Sequence, residues 1–426
     1  MNWGDFRQHF RGFAWKQLTP HEVDPGVSNG HEFQGVGRLR TILGTDEAER
    51  LPTTYVLLHD ESDDVEVLSA WSKWYDARAK NPTRSSEWRL YYPAEAGSIQ
   101  SRMRAGDLMV LAVTNERQLL ILLAAAGSNR ERELQVLFGI SDVEREGLQV
   151  RAFDSPIPMD FVTATILEQL GLGRVEVPTG GDGAIVSRLI DEIEAEYPEQ
   201  LPPGKTIAAL IRSWITVDEV GQPDDALGRW IEAEAAVYRG WEDRKIARRL
   251  LAGFLLENGG ADVDAFRRFS MGLRQSRVSR AGGALQYHFR ALLDAWHIRY
   301  EMEPEIDGGE IPDFLFPSAN AYNDATFPRD QLRMLAAKFT AKDRWRQVLN
   351  EAEQIRDKHL LTLEAAISGK QMNLMQRARL TLVMPTSIGG RYPAPYGERI
   401  LSVRAFLAEL AELQRSVAAR KSSEAQ

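Results

Sequence analysis
Asp313, Lys338 and Glu351 are the residues whose types and order suit phosphodiester hydrolysis. That reaction needs a cation held by carboxylates, an activated water, and positive charge against the developing oxyanion. Asp313 lies in IPDFLFPS, after Pro312 and at the start of an apolar strand. Lys338 follows 25 residues later, at the end of the strand LRMLAAK, and Glu351 a further 13 residues on. Magnesium takes one or two carboxylates plus waters and phosphate oxygens, which Asp313 and Glu351 would supply. Lys338 would position the water and offset transition-state charge. A helix expected over 343–367 places Arg344, Gln347, Val348, Glu351 and Ile355 on one face, with Lys342 at its entrance. Asp, Lys and Glu are common residues. The alternative assignment makes Asp313 a turn residue and Glu351 a solvated helix charge.

The rest of the chain must position these groups. Its 426 residues exceed one ordinary core and imply two or three domains at roughly 100–200 residues each. A hydrophobic fraction of 43% and a charged fraction of 27% belong to a folded chain and exclude a mainly disordered or fibrous one. The absence of cysteine excludes disulfides, thiolate zinc sites and a cysteine nucleophile, and fits a reducing cytoplasm. No apolar run is long enough to span a membrane, and MNWGDFRQHFRGF lacks the apolar run of a signal peptide.

Net charge is −9, yet it is unevenly spread. Residues 176–199 hold seven acids and one base, Arg188. Residues 266–290 hold six arginines and no acid. Residues 71–92 hold five bases, two acids and six aromatics. Charge is screened beyond about 8 Å at physiological salt, so a phosphate backbone feels these islands more than the total. The alternative is that such runs are solvated helix faces.

Residues 1–174 read as β-rich. TTYVLLHD, DLMVLAV and QLLILLAAAG are short apolar runs, while SNGHEFQG, GTDEAER and NPTRSSE read as loops. Pro/Gly clusters at 178–183 and 198–205 flank one acidic amphipathic helix, GAIVSRLIDEIEAEY. From about residue 206 the period becomes helical through IAALIRSWI, LGRWIEAEAAVYRGWEDRKIARRLLAGF and DVDAFRRFS. SRAGGALQYHFRALLDAWHI is expected as a separate helix with Ser279 as its N-cap. YEMEPEI, IPDFLFP, LRMLAAKFT and RLTLVMP read as strands, and ARKSSEAQ as a disordered tail. The fold class is thus a two-domain α+β or α/β chain, its second domain a mixed sheet flanked by helices.

The stretches SRAGGALQYHFRALLDAW, PDFLFPSANAYNDATFP, LRMLAAKFTAKDRWRQVLNEAEQI and LTLVMPTSIGGRYP resemble the nuclease domain of the EcoRII-type restriction endonucleases, within the PD-(D/E)xK superfamily. The resemblance covers roughly the C-terminal half. KQLTPHEVDPGVSNGHEFQGVG and WSKWYDARAKNPTRSSEWRLYYP are similar to the effector DNA-binding domain of the same family, a β pseudobarrel that grips DNA with two arms. It implies an effector domain at 1–175, a linker with the acidic helix at 176–205 and an endonuclease domain at 206–426. It also implies a Mg2+-dependent, homodimeric type II enzyme acting on double-stranded DNA, inhibited until effector-site DNA binds. A cognate methyltransferase would act on the same sequence.

Position by position, the resemblance makes Asp313 the metal-binding Asp, Lys338 the motif lysine, Lys342 a further active-site lysine and Glu351 the displaced acid. Ala336 stands where the orthodox motif has an acid. Arg344 and Arg346 fall in the base-reading segment, where the planar guanidinium matches O6 and N7 of guanine. Gln286 stands where the family carries Glu, and an amide binds cations less well, which puts a second metal in question. The arms would be 24–34 and 74–89. His31, Glu32, Gln34, Arg78, Lys80, Arg84 and Arg89 are their DNA-contact candidates. Arg277 and Arg280 could hold phosphates, or the arginines of 266–290 could pair with the acidic helix. Two other functions stay open: a DNA-binding regulator with a decayed nuclease domain, and a nuclease reading a different or modified sequence.

Overall fold
The computed structural model describes residues 10–24, 27, 31–60, 65–80, 83–140, 147–152, 183–198, 201–256, 260–307, 309–341 and 344–424. By its internal contacts the chain divides into one unit of 1–177 with 366–370, and a second of 178–365 with 371–426.

The first unit is built on an eight-stranded sheet. Its strands are β1 Phe10–Gln17, β2 Glu32–Phe33, β3 Ala48–Leu58, β4 Val65–Asp76, β5 Trp88–Tyr91, β6 Leu108–Thr114, β7 Leu119–Ala124 and β8 Gln149–Ala152. They lie in the order β2-β5-β4-β3-β7-β6-β1-β8. β3 and β7 run parallel, and the other neighbours pair antiparallel. β6 and β7 are interior strands, flanked on both sides, and are buried along nearly their whole length, which is why both read as continuous apolar runs. One core cluster joins Phe33, Leu39, Leu43, Tyr55, Trp74, Leu90, Leu111 and Ile121. Trp74 is fully buried, stacks on Trp88 at 4.9 Å and donates its indole N–H to Gly44 O at 3.0 Å. The expected loop SNGHEFQG is corrected in part. Glu32 and Phe33 pair with β5, because Phe33 anchors the segment in the core, 1% exposed.

The second unit carries a six-stranded mixed sheet. Its strands are β9 Glu301–Met302, β10 Phe314–Phe316, β11 Arg333–Ala337, β12 Lys358–Leu361, β13 Leu380–Met384 and β14 Leu401–Ser402, in the order β14-β13-β12-β11-β10-β9. β11 to β14 run parallel, while β10 is antiparallel to both β11 and β9. The main helices are α1 Gly183–Glu196, α2 Gly204–Trp214, α3 Pro223–Ala252, α4 Val263–Ala295, α5 Trp345–Val348 and α6 Val403–Glu424. Phe289 of α4 and Phe406 of α6 meet Phe314 and Phe316 of β10, with ring centroids 5.5 Å apart for Phe289–Phe314 and 6.1 Å for Phe316–Phe406. Such aromatic contacts in a dry core contribute about 0.5–1.5 kcal/mol each beyond area burial, and they fix α4 over the strand that leads from Asp313.

Three helix expectations are corrected. Ser279 lies inside α4, which starts at the Asp262 cap; the Asp262 side chain accepts from the Ala265 amide at 2.8 Å. The backbone runs through Gly282 and Gly283 without a break. The long helix expected over 343–367 is only α5, four residues, followed by bends and by β12. Ala352 takes φ 49°, a left-handed value that ends α-helical propagation, and His359–Leu361 pair in the sheet. The acidic helix α1 packs within the second unit and finds its arginines on α3. Arg244 bonds Asp191 at 2.7 Å and also Glu194, which Arg248 shares.

Candidate active site
Asp313 immediately precedes β10, and the pairing of Phe314 with Leu335 brings it beside the C-terminal end of β11. Its Oδ2 accepts from the Ala337 amide at 2.7 Å and from Lys338 Nζ at 2.9 Å. Its Oδ1 accepts from Gln286 Nε2 at 2.8 Å. Asp313 is 8% exposed, so the strand end, the lysine and the amide together fix the plane of its carboxylate. The amide of Lys338 donates to Leu361 O at 2.9 Å, which ties the lysine to the end of β12.

Gln286 projects from α4, and a buried polar cluster anchors that helix. His288 Nε2 lies 2.9 Å from Glu234 Oε2 on α3, and His288 Nδ1 lies 3.2 Å from Arg212 Nη1 on α2. Burial pushes the His288 pKa down, against the pull of Glu234. A neutral ring satisfies both partners, donating to Glu234 and accepting from Arg212. The indole of Trp230 stacks on it at 5.6 Å.

Glu351 sits beyond α5 in the irregular stretch before β12. Burial pushes its pKa up to about 7; Lys338 opposes the rise, and Asp313 adds to it. Both groups therefore lie within electrostatic reach of its carboxyl. Glu351 Oε2 is buried without a hydrogen-bond partner. Asp313, Lys338 and Glu351 thus share one electrostatic neighbourhood. No set of three His, Cys, Asp or Glu side chains forms a metal cage among the described residues. Two carboxylates suffice for magnesium, which keeps several waters, and the uncommitted Glu351 Oε2 is the hard oxygen such an ion takes. The donor set fits the ion.

The remaining candidates are dispersed. Lys342 lies outside the described residues, as does the side chain of Arg277. Arg344 and Arg346 flank buried Trp345 and are exposed, with the Arg346 guanidinium 4.8 Å from the indole centroid. Arg280 is half-buried over the Tyr238 ring at 5.3 Å, and burial pushes its pKa down.

Residues 238–407 match the family model described as EcoRII C terminal. Over 397 residues, 92% of each chain, the protein is 28% identical to the type II restriction enzyme EcoRII of Escherichia coli. Residues 238–407 thus carry the EcoRII C-terminal domain, and over most of its length the chain is similar to the EcoRII-type restriction endonucleases. These are type II site-specific deoxyribonucleases. Among solved structures, metal-depleted Ecl18kI in complex with uncleaved DNA is 20% identical, spans 54% of this chain and 85% of its own, and gives a TM-score of 0.43. The PspGI–substrate DNA complex is 18% identical, spans 54% and 93%, and gives 0.38.

The first unit holds a cavity of about 610 Å³ lined by Glu32, Gln34, Arg38, Glu87, Trp88 and Arg89 among others. Arg89 bonds Glu32 at 3.1 Å and Glu87 at 2.7 Å, Tyr75 donates to Glu32 at 2.6 Å, and Arg78 pairs with Glu87. Lys80 and Arg84 are exposed. The His31 ring lies 5.4 Å from that of Tyr92. A buried ion pair sets the loop that carries Gln34. Glu22 accepts from Lys16 Nζ at 2.8 Å and from the Gln34 amide at 2.6 Å, while Lys16 also donates to Gln34 O at 2.8 Å. Sequence reasoning missed Glu87 and Tyr75. Glu87 lies within the basic island itself, two residues before Arg89, so that pair was readable from spacing.

Proposed function
We propose that this protein is a sequence-specific, Mg2+-dependent restriction endonuclease that cuts both strands of duplex DNA in the cytoplasm. The observation that carries this reading is the convergence of Lys338 Nζ, Asp313 and Glu351 at the ends of β10 and β11. A divalent cation held by Asp313 and Glu351 would polarise the scissile phosphate and lower the pKa of a bound water. Lys338, 2.9 Å from Asp313, places an ammonium where charge builds up on phosphorus-bound oxygen. A water oxygen bonds to phosphorus as the ester P–O bond breaks; the water gives up a proton to solvent, and the leaving oxygen keeps the bonding pair and takes a proton from solvent to become a hydroxyl. Gln286 holds Asp313 Oδ1 and so orients the carboxylate plane. Lys342 would add charge at the same site, while Arg344 and Arg346 would read bases from the exposed face beside Trp345. Cutting two antiparallel strands calls for two copies of this site about a two-fold axis, hence a homodimer. A cognate methyltransferase would protect the host sequence.

The first unit is the effector-binding part in this reading, a pseudobarrel supported by the core cluster packed against its sheet. His31, Glu32, Gln34, Arg78, Lys80, Arg84 and Arg89 would meet a second copy of the site and relieve inhibition. Glu32 and Glu87 neutralise the arginines until DNA phosphates and bases replace them. Arg89→Ala should weaken binding of the preferred duplex about tenfold or more, in keeping with roughly 1–3 kcal/mol for one base contact. Competition titrations with mixed-sequence DNA measure this, and an unchanged preference would remove Arg89 from the reading surface.

The Gln286–Asp313 hydrogen bond favours a second reading, a DNA-binding regulator whose nuclease centre has weakened. One experiment separates the two. A mixed-sequence plasmid is incubated with the protein and Mg2+, and the products are sequenced by run-off, with methylated and unmethylated DNA in parallel. Discrete, metal-dependent ends, stimulated by added site-bearing duplex, support the endonuclease. Intact plasmid at every metal concentration supports the regulator.

A further inference from the structure
The turn that carries Glu351 is not held by a helix, so something else must aim its carboxylate. α5 ends at Val348, and Ala352 is buried with φ 49°. A three-point grip surrounds the peptide between Glu351 and Ala352. Lys358 Nζ donates to the main-chain oxygen of Glu351 and lies 3.4 Å from that of Ala352. The Ala352 amide donates to Glu310 Oε2 at 2.6 Å. Lys358 opens β12 and is 6% exposed. Its ammonium also attracts Glu310, Glu351 and Glu353.

This arrangement spans the site. Glu310 stands three residues before Asp313, so the segment leading into β10 bears the first carboxylate and also holds the turn that bears the second. A buried ammonium capping two carbonyls replaces the hydrogen bonds that a continuing helix would have made. It also supplies positive charge beside a carboxyl crowded by Asp313 and Glu310.

We infer that Lys358 and Glu310 are positioning residues that set the Glu351 carboxylate against Asp313, acting through the 351–352 peptide without touching substrate or cation. The inference rests on the proposed cation site and deepens it. The bland alternative is that Lys358 only stabilises the fold. Cation affinity separates the two, because supporting groups behind a ligand typically change it about 10–100-fold.

The test titrates Mn2+ alone into the full chain and follows free Mn2+ by electron paramagnetic resonance, with thermal unfolding in parallel. Asp313→Asn serves as the control that removes the site. Lys358→Met should weaken Mn2+ binding about tenfold, Glu310→Gln about threefold, and Lys358→Arg should recover most of the affinity lost in Lys358→Met. Should Lys358→Met fail to fold, Glu310→Gln and Lys358→Arg carry the comparison. Affinities of the folded variants all within about twofold of wild type overturn the inference, however far the melting temperatures move. So does a wild-type chain with no Mn2+ site that Asp313→Asn abolishes. A wild type that binds Mn2+ at Asp313 yet never cuts DNA overturns the proposed function and leaves this inference standing.

Discussion

Asp313→Asn is expected to lower Mg2+-supported DNA cleavage at least about a thousandfold while leaving duplex binding intact. The substitution keeps size and planarity but removes the charge. Only one of its two positions can still accept, where Asp313 now takes bonds from Gln286, the Ala337 amide and Lys338. An NH2 group turned toward Lys338 or the Ala337 amide would set donor against donor, so both the lysine and the cation lose their common partner. In the absence of divalent ions, the loss of a negative charge beside the DNA phosphate should leave affinity equal or slightly higher. Lys338→Ala should also lose most of the rate, but with weaker DNA binding, since it removes a positive charge. Plasmid nicking assays together with gel-shift titrations in EDTA read both halves. Cleavage by Asp313→Asn within about tenfold of wild type would exclude this carboxylate from the chemistry.

The strands on either side of Asp313 were legible because their residues leave little choice. IPDFLFP and LRMLAAK are apolar runs too short for helices, and β10 and β11 are buried on both faces. Asp313 and Lys338 meet because the antiparallel register follows from those two runs. For Glu351 the expected element was wrong. The segment RQVLNEAEQIRDKHLLTL has helical periodicity throughout, yet its end is a strand buried between β11 and β13. A parallel strand inside a sheet reads as a plain apolar run, and periodicity cannot tell it from a buried helix turn. The left-handed φ at Ala352 has no glycine or asparagine to announce it; it is imposed by Lys358 and Glu310, tertiary contacts that no local pattern reports. For the same reason Ser279 looked like a cap. Its position before an amphipathic stretch suits that role, but the preceding turns pack as helix as well, and α4 runs through. The basic island at 71–92 was visible as charge. Its pairing with Glu32 needed the fold, since β2 reaches β5 from more than fifty residues away.

Glu351→Gln tests the second carboxylate, and pH gives the test its sign. Burial raises the folded value of Glu351 from 4.5 to about 7, while the unfolded chain titrates near the ordinary value. For a group raised on folding, the stabilising contribution is complete below about 4.5 and is lost as pH climbs through about 7. Without a cation at pH 8, the wild type therefore carries a poorly solvated charge. The full shift would correspond to roughly 3 kcal/mol, and solvent screening of a partly exposed group reduces this to about 1–2 kcal/mol. Gln cannot ionise. Metal-free Glu351→Gln should then be more stable than wild type at pH 8 by that amount and close to it at pH 5. Added Mg2+ should reverse the order at pH 8, because only the carboxylate gains from the ion. Its apparent affinity for wild type should fall about tenfold per unit of pH below 7, as the cation must displace one proton. Cleavage by the variant should drop at least about a hundredfold. Denaturant unfolding at the two pH values, with and without Mg2+, measures the stability differences. A gap between variant and wild type that is the same at pH 5 and pH 8 would mean that Glu351 ionises freely in the folded chain, and its oxygen would then have no special claim on the cation.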